Sequence, residues 1–313
     1  MKYVVSGTFI INKIEFPDGS TIEDIIGGGS FYAYTGIRFA EKDSLIVSAI
    51  GEDFEEYYGK WFRDNNISKS GLIKRLNRCT YNGLKYHPDG RYDAHSVYND
   101  EVGKLFPEKG HILPLEMVPF ITRDTEGMYM GAEMTEEIFL QLIELKKMFP
   151  KLKIMWEYYP EKKDTNVKYI GFSRFNEVVD IFSINRPESF NLFGTKSDEE
   201  SIERLYESGM PTYYRVGKEG AYMLSNGKSY FSESISVVPE TEEIDPTGCG
   251  NSSTGAVLWA WVEGYDPLFC CIWGNMVAAH TVQQYGPYPD LNKETYENAM
   301  KKAKEIYDEL KLN

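Results

Sequence analysis

Cysteine is scarce in this chain and metal-ligand spacing is missing: Cys79, Cys249, Cys270 and Cys271 form no CxxC pair and no Cys/His set. Adjacent Cys270 and Cys271 are poorly placed to bridge each other. A disulfide scaffold and a structural zinc centre are excluded, and a reducing, cytoplasmic setting is expected. Basic charge is also short. With 34 Lys and Arg against 48 Asp and Glu, the formal net charge is −14, so most of the surface repels a phosphate backbone and nucleic acid is not expected as a partner. Long apolar runs are missing too. The N-terminal MKYVVSGTFIINKIEF has a weak basic start, no extended apolar stretch and no small-residue cleavage site, unlike a secretory signal. The most apolar region, 254–280, is interrupted by Glu263, Asp266 and Pro267 and fails as a membrane span, so no membrane association is expected. The four histidines, His87, His95, His111 and His280, have no ligand spacing.

What is present suits one large core. The chain has 313 residues, 42% of them hydrophobic, enough to fold without covalent or metal staples. Short β-branched or aromatic runs (3–5, 45–47, 153–155, 178–182 and 213–216) alternate with helical patterns such as 135–148, where Ile138, Leu142 and Leu145 recur at helical spacing. Alternating strands and helices predict an α/β fold with a mostly parallel sheet covered on both faces. No repeat or low-complexity linker divides the chain, so 1–313 is read as a single domain. One segment breaks the rhythm: 79–98 is rich in aromatics around Pro88-Asp89-Gly90. Proline presets a turn and glycine permits its reversal. That segment predicts a β-hairpin, either a lid paired with strands from 9–25 or a surface excursion without function.

The most informative stretch is Asp245-Pro246-Thr247-Gly248-Cys249-Gly250-Asn251, followed by an apolar run. Gly248 and Gly250 let backbone approach a ligand closely. Unpaired N–H groups should converge where the following helix begins, and such a terminus attracts anions. Asn251 also suits a helix N-cap. Gly27-Gly28-Gly29 opens another helix. A dinucleotide-binding reading of these glycines fails, because that motif lies directly between the first strand and its helix.

DPTGCGN resembles the D-T-x-G-A-G-D signature of the ribokinase-like, or PfkB-type, carbohydrate kinases. Other pieces follow in family order. Gly27-Gly28-Gly29 resembles the GG substrate motif, and Gly51-Glu52-Asp53-Phe54 the G-x-D-x-F segment. Asn185-Arg186-Pro187-Glu188 resembles N-x-x-E, Gly217-Lys218-Glu219-Gly220 the GxxG loop beside the nucleotide, and 275–286 the final helix along the adenine pocket. The resemblance implies a three-layer sandwich with a small β lid. It implies an ATP-dependent, Mg²⁺-requiring kinase that phosphorylates a hydroxyl of a sugar or sugar-like molecule, with a monovalent cation as a further candidate. Family members also pair through their lids, which makes a homodimer through the aromatic hairpin the implied assembly.

By the same resemblance, Gly248, Cys249, Gly250 and Asn251 form the anion hole and catalytic position, and Glu188 organises Mg²⁺. Asn185, Arg215, Gly217, Gly220, Asn275 and Ala279, with His280 nearby, border the nucleotide; Asn12, Gly28, Gly29 and Tyr32 border the acceptor. Three positions depart from the family. Asn251 replaces the Asp that accepts the hydroxyl proton, and an amide cannot do so. Loss of a general base typically costs about 10²–10⁴ in rate, while positioning and charge stabilisation survive. Asn12 stands where Asp often holds sugar hydroxyls, and Tyr32 where Asn is expected, which argues against an ordinary ribose or fructose acceptor. Arg215 stands where Thr is frequent and is either a phosphate grip or a strand-end charge. The rival reading is a catalytically weak or inactive nucleotide- or metabolite-binding regulatory protein of the same fold.

Overall fold

A computed structural model describes residues 1–87, 92–98, 110–160, 168, 170–239, 243–289 and 291–312. Its strands are β1 (Tyr3–Gly7), β2 (Ile10–Glu15), β3 (Thr21–Gly27), β4 (Ser44–Ile50), β5 (Leu72–Lys74), β6 (Thr80–Tyr86), β7 (Tyr92–Ser96), β8 (Gly127–Ala132), β9 (Lys153–Tyr158), β10 (Ile181–Asn185), β11 (Thr212–Arg215), β12 (Gly220–Ser225) and β13 (Lys228–Glu233). The helices are α1 (Gly29–Arg38), α2 (Phe54–Tyr57), α3 (Gly59–Asp64), α4 (Glu136–Met148), α5 (Phe172–Phe175), α6 (Arg186–Phe193), α7 (Asp198–Glu207), α8 (Cys249–Val262), α9 (Pro267–Thr281) and α10 (Lys293–Leu312).

The main sheet runs β13-β12-β11-β10-β9-β8-β1-β4-β5, parallel from β11 to β5, with the antiparallel pair β12 and β13 at one edge. Parallel strands sandwiched by helices are apolar on both faces. Accordingly β1 and β4 are buried throughout. Alternate residues serve opposite cores: Tyr3, Val5 and Ile46 face one cluster with Trp273 and Met276, while Val4, Leu45 and Val47 face the other with Leu142 and Trp156. This is the expected α/β three-layer sandwich.

Beside it lies a four-stranded sheet, β3-β2-β6-β7. Two antiparallel hairpins are joined by the parallel pair β2 and β6, with Asn12 opposite Asn82. The Pro88–Gly90 turn lies outside the described residues.

Helices α1 and α8 meet backbone to backbone. A Cβ on Gly36 would lie 1.9 Å from the Ser252 carbonyl oxygen, and one on Gly255 1.9 Å from that of Ala33. Only glycine allows this approach. The crossing brings the first residues of α1 beside the first residues of α8: a Cβ on Gly29 would sit 3.2 Å from Asn251 Nδ2.

Strand β10 begins at Ile181, three residues later than the apolar run beginning at Val178 suggests. Asp180 accounts for the delay. Its carboxylate accepts from the Ile154 N–H at 2.8 Å and pairs with Lys146 and Lys153, so the chain is anchored by a side chain before the ladder starts.

Candidate active site

A cleft of about 350 Å³ opens at the C-terminal ends of β9, β10 and β11, bounded by the start of α8 and by Tyr86 from β6. Strand ends in parallel sheets are where such folds present ligand-binding groups. Here β10 ends in Asn185 and β11 in Arg215, while Glu157 and Tyr159 come from the end of β9.

The glycine turn supplies the anion-facing wall. Gly248 is the N-cap of α8 at φ 87°, and a Cβ there would strike the Tyr32 ring at 2.3 Å. The Cys249 N–H donates to Pro246 O at 3.1 Å and the Ser252 N–H to Gly248 O at 2.8 Å. Between them, the N–H groups of Gly250 and Asn251 have no hydrogen-bond acceptor among the described residues. Two adjacent donors therefore face the cleft at a helix's positive end. Cys249 contributes backbone rather than thiol chemistry: burial pushes its pKa up to about 12, and its Sγ is turned toward Ala278 O at 3.5 Å.

Asn251 does not cap the helix. Gly248 reaches the left-handed region and starts α8 early, making Asn251 its third residue. The Asn251 amide instead donates from Nδ2 to Glu157 Oε2 at 3.1 Å.

Glu157 is the residue the motif reading missed. It is 1% exposed inside an apolar strand. One oxygen accepts from the Tyr129 hydroxyl and from Asn251; the other lies 2.8 Å from Arg215 Nη2 and 3.3 Å from the Thr254 hydroxyl. The available signal was a lone acid in the buried run KIMWEYY, because a buried charge demands partners.

Arg215 is 9% exposed. Burial opposes its charge, but Glu157 and Glu188 outweigh that and raise its pKa. Its Nε is buried without a hydrogen-bond partner, and its Nη1 lies 2.4 Å from where a Gly250 Cβ would be. The guanidinium thus lies against the glycine turn with a donor unused.

Asn185 and Glu188 form a capping box on α6: Asn185 Oδ1 accepts from the Glu188 N–H at 2.9 Å, and Glu188 Oε2 accepts from the Asn185 N–H at 3.0 Å. Burial raises the Glu188 pKa, with Arg215, 3.7 Å away, opposing the rise.

Other expected site residues fall elsewhere. Tyr32 is 2% exposed and packs beneath Gly248 rather than bordering the cleft. Asn12 is buried with its Nδ2 against Gly27, and Gly28, at φ 114°, lies against the Thr8 carbonyl. Gly29 alone of the acceptor-side group adjoins Asn251. Gly217 and Gly220 turn β11 into β12 with positive φ. Asn275 braces α9 to β13, donating to Ser232 O at 3.0 Å and Glu233 O at 2.9 Å, and Ala279 is buried on the same helix. His280 is held between Phe39 and Tyr288, where burial lowers its pKa to about 4. None of Asn275, Ala279 and His280 borders the cleft.

Tyr86 reaches across from the small sheet. Its hydroxyl lies 3.1 Å from Asp245 Oδ1 and 2.9 Å from Thr247 Oγ1, and its ring stacks on Phe16. One hydrogen bond is worth about 1 kcal/mol. Tyr86→Phe is therefore expected to raise the KM for the cleft's ligand roughly fivefold, as read by initial-rate kinetics.

The architecture is a ribokinase-like fold, and comparison with known proteins agrees. The family described as pfkB family carbohydrate kinase matches residues 157–294. The solved structure of a putative ribokinase II from E. coli in complex with ATP and Mg²⁺ superposes with a TM-score of 0.70 at 17% identity, covering 96% of this chain and 99% of that one. A 2-dehydro-3-deoxygluconokinase of Thermoproteus tenax is 34% identical over 29% of this chain and 27% of its own length. An uncharacterized protein of Schizosaccharomyces pombe is 24% identical over 98% of this chain and 93% of its own. Over residues 157–294 the chain is thus similar to the PfkB-type carbohydrate kinases, and along nearly its whole length it has the fold of the ribokinase-like structures. No helix of the described residues is long and apolar enough to cross a membrane.

Proposed function

We propose that this protein transfers the terminal phosphoryl group of ATP to a hydroxyl of a sugar-like small molecule at the cleft between α8 and β9–β11. The observation that carries this reading is the convergence of the free Gly250 and Asn251 N–H groups with the unused, buried Arg215 Nε. These are donors without acceptors around one polar cleft, which suits a tetrahedral oxyanion. Phosphoryl transfer depends chiefly on such positioning and charge stabilisation. The hydroxyl would approach Asn251, whose Oδ1 can accept its hydrogen bond but not its proton. In a loose transition state that proton departs late, to a phosphate oxygen or water, so the missing base slows the reaction without forbidding it.

The donor set also suits Mg²⁺. Glu188 commits Oε2 to the α6 cap and leaves Oε1 without a described partner. Among the described residues no three acidic, cysteine or histidine side chains cluster, which matches an ion that takes one or two protein carboxylates plus substrate phosphates. Bound there, Mg²⁺ would neutralise phosphate charge. Glu188 and Asn185 would face it; Arg215 and the two N–H groups would hold the phosphoryl oxygens.

Glu188→Gln tests this assignment cleanly, because Gln preserves the capping box. The raised Glu188 pKa means that its ionised form is disfavoured in the fold, a burden present above the ordinary carboxylate pKa and relieved as pH falls. At neutral pH the variant should unfold no earlier than the native protein, while activation by Mg²⁺ drops about tenfold or more. Thermal unfolding and a Mg²⁺ titration of turnover read both.

The reading itself is tested by ADP formation from Mg·ATP over a panel of sugars, sugar acids, polyols and nucleosides, with and without K⁺. Acceptor-dependent ADP is expected. Tight ATP binding without any acceptor-dependent turnover across the panel would favour the rival, a nucleotide-sensing protein. That rival draws on Asn251 itself, whose amide is turned toward Glu157.

A further inference from the structure

Asn251 looks like a decayed aspartate only when it is seen without its neighbour. We infer that Glu157 is a positioning residue that makes the amide at 251 obligatory: it fixes that amide by its Nδ2 and holds Arg215 against the glycine turn. This rests on the phosphotransfer reading for its functional meaning, but not for its geometry. Four groups converge on the one buried carboxylate: the Tyr129 hydroxyl and Asn251 Nδ2, at 3.1 Å, donate to Oε2, while Arg215 Nη2 forms an ion pair with Oε1 at 2.8 Å and the Thr254 hydroxyl, shared with Gly250 O, lies 3.3 Å from it. Each carboxylate oxygen offers about two lone-pair sites, so Oε2 is filled by Tyr129 and Asn251. Only the NH₂ end of an amide can face it. Asn251 Oδ1 is thereby left free of any hydrogen bond among the described residues, on a side chain that borders the cleft and adjoins Gly29. An acceptor hydroxyl can donate to that oxygen.

An aspartate at 251 would put a second carboxylate oxygen where Nδ2 now donates. Two like charges at that distance cannot both ionise without cost, and one is forced to keep a proton. The negative charge of this part of the cleft stands at residue 157 rather than at residue 251, held by the Tyr129 and Asn251 donors and the Arg215 guanidinium. Asn251→Asp therefore does not restore a base; it breaks the support of the site.

The test is a reciprocal exchange in the full-length protein. Asn251→Asp should lower the Tm by about 5–10 °C at pH 8. The gap should narrow as pH falls toward 5, because the carboxyl that must stay protonated in the fold gives up less there. Glu157→Gln should also destabilise, by stranding Arg215. Combining the two restores one carboxylate and one amide with their places exchanged: the double variant should recover most of the loss at pH 8, with a gap that no longer depends on pH. Asn251→Ser, which removes the amide without adding charge, should show a small and pH-independent loss.

Turnover with Mg·ATP and an acceptor supplies the second readout. Each of the first two variants should lose roughly 10²-fold in kcat, with KM for ATP little changed, and the double variant should regain about tenfold or more. Asn251→Asp equal to or faster than the native protein would overturn the inference. So would a double variant no more stable than Asn251→Asp, or a pH-dependent loss in Asn251→Ser. The thermal series needs no substrate, so it stands or falls separately from the kinase reading.

Discussion

Replacing Arg215 with Met should abolish Mg·ATP-dependent turnover, by roughly 10³-fold or more, and should destabilise the fold by about 3–5 kcal/mol. The two losses have different origins. Removing the guanidinium strands Glu157, 1% exposed, with its strongest partner gone, and that penalty appears in chemical denaturation whether or not a nucleotide is present. The rate loss arises because Arg215 carries the unused donor beside the Gly250 turn. Arg215→Lys separates the two. A lysine retains a charge for Glu157 but lacks the planar fork. Its stability should therefore recover more than its turnover does. Equal recovery of both would show that Arg215 serves only to neutralise Glu157.

The second large effect lies away from the cleft. Gly255→Val should cost roughly 4 kcal/mol or more, because its Cβ would meet the Ala33 carbonyl oxygen at 1.9 Å and the mirrored contact at Gly36 prevents the helices from separating locally. The contrast is Gly194, the C-cap of α6, at φ 69° with open space around it. There Ala adds only backbone strain, about 1 kcal/mol. Urea unfolding of both variants distinguishes steric from conformational cost. If Gly255→Val also loses turnover out of proportion to its residual folded fraction, the crossing sets the distance between Gly29 and Asn251.

Much of the architecture was legible because apolar runs at 3–5, 45–47 and 153–155 lie in strands, as does all but the last residue of 213–216, and the 135–148 pattern became α4 with Thr135 as its cap. The glycine turn was legible for the same local reason: glycine before an apolar helix has few other uses. What local pattern could not show was who meets whom. Asn251 suited a cap by composition, yet Gly248 could adopt a positive φ and took that place. Glu157 carried no motif; its meaning lies in Tyr129, Arg215, Asn251 and Thr254, which come from two strands and a helix. Asn275, read as bordering a nucleotide, spends its NH₂ on the β13 carbonyls, a contact no local pattern announces.

The crossing of α1 and α8 has a bearing on how such a site can diversify. Its spacing is set by peptide groups in contact rather than by the rotamers of large side chains. A gauge of that kind is insensitive to repacking of the surrounding core. The helix starts that carry Gly29 and Asn251 are therefore held at a fixed separation whatever residues occupy them. New acceptors can be admitted by exchanging residues elsewhere around the cleft, one at a time, with no need to retune the distance between those two ends.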